Sequence, residues 1–221
     1  LSTPEVEIAA DHIDQLKDIF WCLKKEIIDN IEAIEHLAPG IDKQNNPAGI
    51  ALFKRINAVL NSLDRLEVRG RDSAGISVLC TLDEKEFSKY KSTLEKKGLT
   101  KELKNRSNRQ ILSNNTISIN EAGRPGSMDR VTICFVYKFA AEIGALGDNI
   151  AFIRNQIKND NLLQTLAEFP TLASSVSAHT RWASVGDITE ANCHPLDNTF
   201  TDTEISPSGI IHVCLNGDID N

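Results

Sequence analysis

Three short segments of the sequence hold residue types suited to gripping a small polar substrate. Arg69-Gly70-Arg71-Asp72-Ser73-Ala74-Gly75 combines guanidinium groups, a carboxylate and two glycines. His179-Thr180-Arg181-Trp182-Ala183-Ser184-Val185-Gly186 is followed closely by Asn192-Cys193-His194-Pro195. Leu215-Asn216-Gly217 lies near the end of the sequence. A planar guanidinium such as that of Arg181 can hold a carboxylate through two parallel hydrogen bonds. An asparagine amide beside a glycine N–H, as at Asn216-Gly217, offers two donors to an oxyanion. Each segment alone also has an ordinary reading. Gly70 and Gly75 suit turns beside a strand start, Arg181 suits a surface position, and Asn-Gly is a common hairpin turn.

The elements that must position these segments follow from periodicity. Ser2 and Glu5 have capping-box spacing with Pro4 in the first turn. Val6, Ile13, Leu16, Phe20, Leu23, Ile27, Ile31 and Ile34 then recur at helical spacing, and such a stripe is expected to face the core. Residues 39–47 read as a loop. A second helix follows, with Ile50, Phe53, Ile56, Leu60 and Leu63 on one face. It stops at Gly70, and the alternation of Ile76, Val78 and Cys80 predicts a strand over 75–82. Residues 83–97 predict a charged helix, and 100–129 a polar, turn-rich excursion with a short strand at 116–119. Further strands are expected at 131–137, 174–179 and 210–215, and one helix over 148–169. Strands and helices without regular βαβ alternation predict an α+β layered domain.

The totals restrict the function classes. The chain has 221 residues, enough for one domain with a full core. Hydrophobic residues make up 41% and charged residues 25%, with a net charge of −7. That acidic balance gives no general electrostatic attraction to nucleic acid or anionic membranes. No apolar run approaches the roughly 18 residues of a membrane span, and no signal peptide is visible. Cys22, Cys80, Cys134, Cys193 and Cys214 are odd in number, without CxxC spacing. They read as reduced thiols of a cytoplasmic protein, with no metal site and no cofactor. Cys22, in the apolar first helix, is expected to be packed, as are the strand residues Cys80, Cys134 and Cys214. Cys193 lies close to the segments of interest.

Together, RGxDSAG, HTRWAxxG, NxHP and NGxxxN resemble, in this order, the glutaminase domain of the glutamine–fructose-6-phosphate aminotransferase family. The resemblance covers 53–75 and about 139–221, while 1–46 and 83–129 look like insertions into a single domain. It implies an N-terminal-nucleophile aminohydrolase sandwich (αββα), of which the chain could hold only part, with extra N-terminal helices. It also implies a reaction: L-glutamine is hydrolysed to glutamate and ammonia, which the sugar-phosphate isomerase domains of the same parent chain consume. The family's nucleophile is an N-terminal cysteine whose α-amine moves the proton, a group that titrates at about 7.7–8.0. Residue 1 here is Leu. The resemblance therefore predicts a fragment, inactive alone, of a parent that encodes the cysteine upstream. The alternative is a divergent, non-catalytic glutamine-binding or scaffolding module, and either form leaves room for a homodimer.

Carried over by position, Arg181 matches the arginine that pairs with the glutamine α-carboxylate. Trp182 and Ser184 match neighbouring substrate positions, Ser184 replacing the usual threonine. Asn216 and Gly217 match the oxyanion hole, and Arg69 and Asp72 match residues that shape the wall. Val185 and Leu215 stand where the family usually has histidines, and the family's acidic residue for the α-amine lies beyond Asn221.

Overall fold

The computed structural model describes residues 3–108, 112–120, 130–140, 146–183, 186–198 and 211–217. Its centre is a four-stranded antiparallel sheet in the order β2-β3-β1-β4. The strands are β1 (Ser73–Asp83), β2 (Ile117–Asn120), β3 (Arg130–Ala140) and β4 (Ala173–Arg181). A two-stranded ribbon, β5 (Leu196–Asp197) with β6 (His212–Val213), is separate from it. The helices are α1 (Thr3–Trp21), α2 (Asp29–Leu37), α3 (Pro47–Leu66), α4 (Glu84–Lys96), α5 (Thr100–Ser107), α6 (Asp148–Asn159) and α7 (Asn161–Leu166). A π-helical stretch, Cys22–Ile28, joins α1 to α2. The arrangement is α+β, as the sequence predicts.

Alternation decides which face of the sheet is covered. Ala74, Ile76, Val78, Cys80 and Leu82 of β1 are fully buried and share a core with Ile133, Phe135 and Tyr137 of β3. Helix α3 presents Leu52, Phe53, Ile56, Leu60 and Leu63 to that core, and α6 presents Ile150, Ile153 and Ile157. The Asn46 side chain starts α3 by accepting from the Gly49 amide (2.8 Å), with Pro47 in the first turn. Asp83 does the same for α4, accepting from Glu86 (2.7 Å). Capping by Asp83 also stops β1 at that residue.

Three expectations need correction. The turn-rich excursion expected over 100–129 begins instead with a helix, α5. Its Arg106 is buried and makes two hydrogen bonds to the Asp160 carboxylate (2.9 and 2.6 Å). Tyr137 donates to the same carboxylate (2.6 Å), and Asp160 also accepts from the amides of Leu162 (2.9 Å) and Leu163 (3.1 Å). This capping splits the single helix expected over 148–169 into α6 and α7. Second, the N-terminal stripe does not face the core. Val6, Ile13, Leu16, Phe20, Leu23 and Ile31 are each half exposed or more. Only the end of this arm is held. Leu37 is buried, and Asn30 Oδ1 accepts from Asn57 (2.9 Å) and Asn61 (2.8 Å). Third, Cys22 is exposed and bonds to Glu26 (2.9 Å) rather than packing. Ser2 of the expected capping box lies outside the described residues. No helix among the described residues is long and apolar enough to cross a membrane.

Candidate functional site

The other face of the sheet is more polar, apart from a small apolar cluster of Leu79, Leu112, Cys134 and Val136. Register places Ser73 opposite Arg181 and Ala140, Gly75 opposite His179 and Lys138, and Ser77 opposite Ser177 and Val136. Paired residues of antiparallel strands point to one side. Ser73, Gly75, Ser77, Lys138, Ser177, His179 and Arg181 therefore share a surface rich in small and polar side chains. The strand expected from Gly75 begins earlier, at Ser73, so Gly75 lies within the ladder. Its role is space: a Cβ there would collide with the His194 carbonyl oxygen, with Cys193 Sγ 3.2 Å away.

The first two segments dock directly. A Cβ on Gly70 would come within 2.8 Å of the Thr180 backbone. The Asp72 amide donates to the Arg181 carbonyl (3.2 Å), and Asp72 Oδ2 accepts from the Ala183 amide (2.6 Å). Asp72 thus fixes the backbone of the chain as it leaves β4. Arg69 ends a short 3-10 turn, Glu67–Arg69, and its side chain is exposed. The buried neighbour Glu67 does the anchoring. It accepts from the Gly147 (2.7 Å) and Asn149 (3.2 Å) amides at the start of α6, where a carboxylate also suits the helix dipole. Asn149 in turn donates to the Arg71 carbonyl (2.8 Å). Neither Glu67 nor Asn149 stands out in the sequence, since capping across 80 residues leaves no local pattern.

Arg181 is half-buried, and its Nη1 donates to the Asp187 carbonyl (3.1 Å). Asn192 Nδ2 donates to the same oxygen (3.0 Å), which ties the HTRW and NxHP segments together. Trp182 is 66% exposed. Ser184 and Val185 lie outside the described residues. Next in the chain, Cys193 is buried between Gly75 and Lys138, and its thiol donates to the His194 carbonyl (3.4 Å). Burial pushes that thiol up, so it remains protonated and is a packing group rather than a nucleophile. Burial likewise raises Cys134 to about 12.

His194 joins this assembly to the third segment. Its ring lies 4.6 Å from that of His179, and its Nδ1 accepts from the Leu215 amide (2.9 Å). Burial lowers His179 below the usual histidine value. His194 is lowered to about 4 by burial, by His179 and by the nearby cations Arg181 and Lys138. Both rings are therefore neutral at pH 7. The ribbon follows the same surface: Cys134 Sγ is 3.3 Å from His212 Nδ1, and Ser177 Oγ is 3.3 Å from Cys214. Asn216 and Gly217 are exposed at its end, with Gly217 at φ +152°.

Through His194, Leu215, the residue before Asn216 and Gly217, is tied to the side of the sheet that carries His179 and Arg181. Among the described residues no group of three or more His, Cys, Asp or Glu side chains could hold a metal ion.

No family model matches the chain, and no curated protein matches it. Among solved structures, a dimeric ferredoxin-like protein from an uncultured marine organism is similar over 51% of this chain and 97% of its own. The identity is 17% and the TM-score 0.26, a likeness that carries no argument about fold or function.

Proposed function

We propose that this chain is the glutamine-binding part of a class II glutamine amidotransferase that supplies ammonia to fructose-6-phosphate. The observation that carries the proposal is the convergence of four segments, distant in sequence, on one face. Gly70 lies against Thr180, Arg181 and Asn192 share the Asp187 carbonyl, and His194 holds Leu215. On this reading Arg181 pairs with the α-carboxylate of L-glutamine. Asn216 Nδ2 and the Gly217 N–H receive the oxyanion as the side-chain amide becomes tetrahedral, each donor being worth about 2.7–4 kcal/mol. On the same reading the attacking thiolate belongs to the N-terminal cysteine of the parent protein. The N-terminal-nucleophile sandwich is part of the same proposal, and the four-stranded antiparallel sheet with helices on one face is what supports it.

The test uses the full-length gene product and follows glutamate release from glutamine. Arg181→Ala should raise the KM for glutamine about 100-fold, the cost of an unpaired carboxylate in a polar site. Unchanged turnover at low glutamine would defeat the proposal. The exposed apolar arm favours a second reading, a non-catalytic module that binds glutamine while the arm serves assembly. Calorimetric binding of glutamine without any glutamate release would select it.

A further inference from the structure

The Asn216–Gly217 corner has little of its own to hold it. Strand β6 is two residues long, and Asn216 and Gly217 are exposed. Immediately before the corner, however, residue 215 is held: its N–H donates to His194 Nδ1 at 2.9 Å. We propose that His194 is a positioning residue that fixes the Asn216–Gly217 corner relative to Arg181. Its catalytic consequence rests on the glutaminase reading.

His194 can serve as a reference point because it is itself immobilised. Its carbonyl occupies the space left by the missing side chain of Gly75 and accepts from the buried Cys193 thiol. Its ring lies on His179, which belongs to β4 and lies opposite Gly75 in the ladder. The loop leading to it, 187–193, is tied to Arg181 through the Asp187 carbonyl. One chain of contacts therefore runs from Gly75 through His194 to residue 215, and another from the same loop to Arg181. An acceptor at Nδ1 requires the neutral ring with its proton on Nε2. Burial and the neighbouring cations Arg181 and Lys138 favour that neutral form.

Amide substitutions separate this role from simple packing. Asparagine places Oδ1 where Nδ1 stands and keeps the acceptor. Glutamine places its oxygen near Nε2 and loses the acceptor, at similar polarity. In the full-length protein, His194→Gln and His194→Ala should lower kcat for glutamate release about 100-fold, as expected for oxyanion donors displaced by about 1 Å. KM for glutamine should stay within roughly threefold, because the Arg181 tether is intact, and His194→Asn should restore most of kcat. Hydrogen exchange of a peptide spanning 211–217 should quicken in the Gln and Ala variants and not in the Asn variant. Unchanged kcat in His194→Gln, or an equal loss in His194→Asn and His194→Ala, overturns the inference while the glutaminase reading stands. Absence of glutamate release by the unmodified protein overturns both.

Discussion

On one face of β1, Ala74, Ile76, Val78, Cys80 and Leu82 are sealed beneath helices. On the other, Ser73, Gly75 and Ser77 meet loops and a two-residue ribbon strand. Adjacent residues of one strand thus enter unlike environments. The helical face is held by apolar volume and one buried ion network, so its stability is spread over many side chains. The polar face is held by single contacts between backbone groups and particular side chains. Substitutions should therefore cost stability on the first face and geometry on the second.

The largest expected effect is on the helical side. Asp160→Ala leaves Arg106 buried without its carboxylate and removes the cap of α7. A loss of about 3–5 kcal/mol is expected. Thermal melting should fall by roughly 10 °C for a chain of this size, and a shift below 2 °C would mean that the network contributes little. Gly75→Ala is next. The added methyl meets the His194 carbonyl, so the 193–195 loop must move, at about 1–3 kcal/mol. Glutamine turnover should fall while the melt stays cooperative. Unfolding as severe as that of Asp160→Ala would erase the contrast between the faces.

A pH titration sharpens the comparison further. His194, faced by His179, Arg181 and Lys138, has a folded-state pKa near 4 against an ordinary 6.5. Between these values the unfolded chain binds the extra proton and the folded chain does not, so unfolding takes up protons. Stability from this group is complete above pH 6.5 and is lost as pH falls towards 4. Urea midpoints measured across that window should drop more for the unmodified protein than for His194→Asn; equal slopes would contradict the assignment. The smallest effect belongs to the arm. Leu16→Gln, at a side chain 64% exposed, should change stability by less than about 0.5 kcal/mol in denaturant melts.

The sequence made some elements legible and hid others for physical reasons. Ile76, Val78 and Cys80 announce β1 by alternation, but Ser73 and Ala74 are small and give no pattern. They join the ladder because Arg181 and Ala140 lie opposite Ser73. Helix α5 was hidden because a charged residue, Arg106, supplies its buried anchor through a partner 54 positions away. The arm was legible as a helix, yet periodicity reveals an apolar stripe and not what covers it. Within the candidate site, Arg181, Asn216 and Gly217 were readable as residue types at motif spacing. The links between them, Gly70 against Thr180 and His194 to Leu215, are long-range backbone contacts with no signature in the local sequence.

The protein has two tryptophans, and they divide between the arm and the polar face. Trp21 is 53% exposed on the first, and Trp182 is 66% exposed beside Arg181 on the second. Replacing Trp21 with phenylalanine leaves a single tryptophan, next to the residue expected to grip a ligand. Its intrinsic emission then becomes an optical gauge of occupancy, readable without any label or coupled assay.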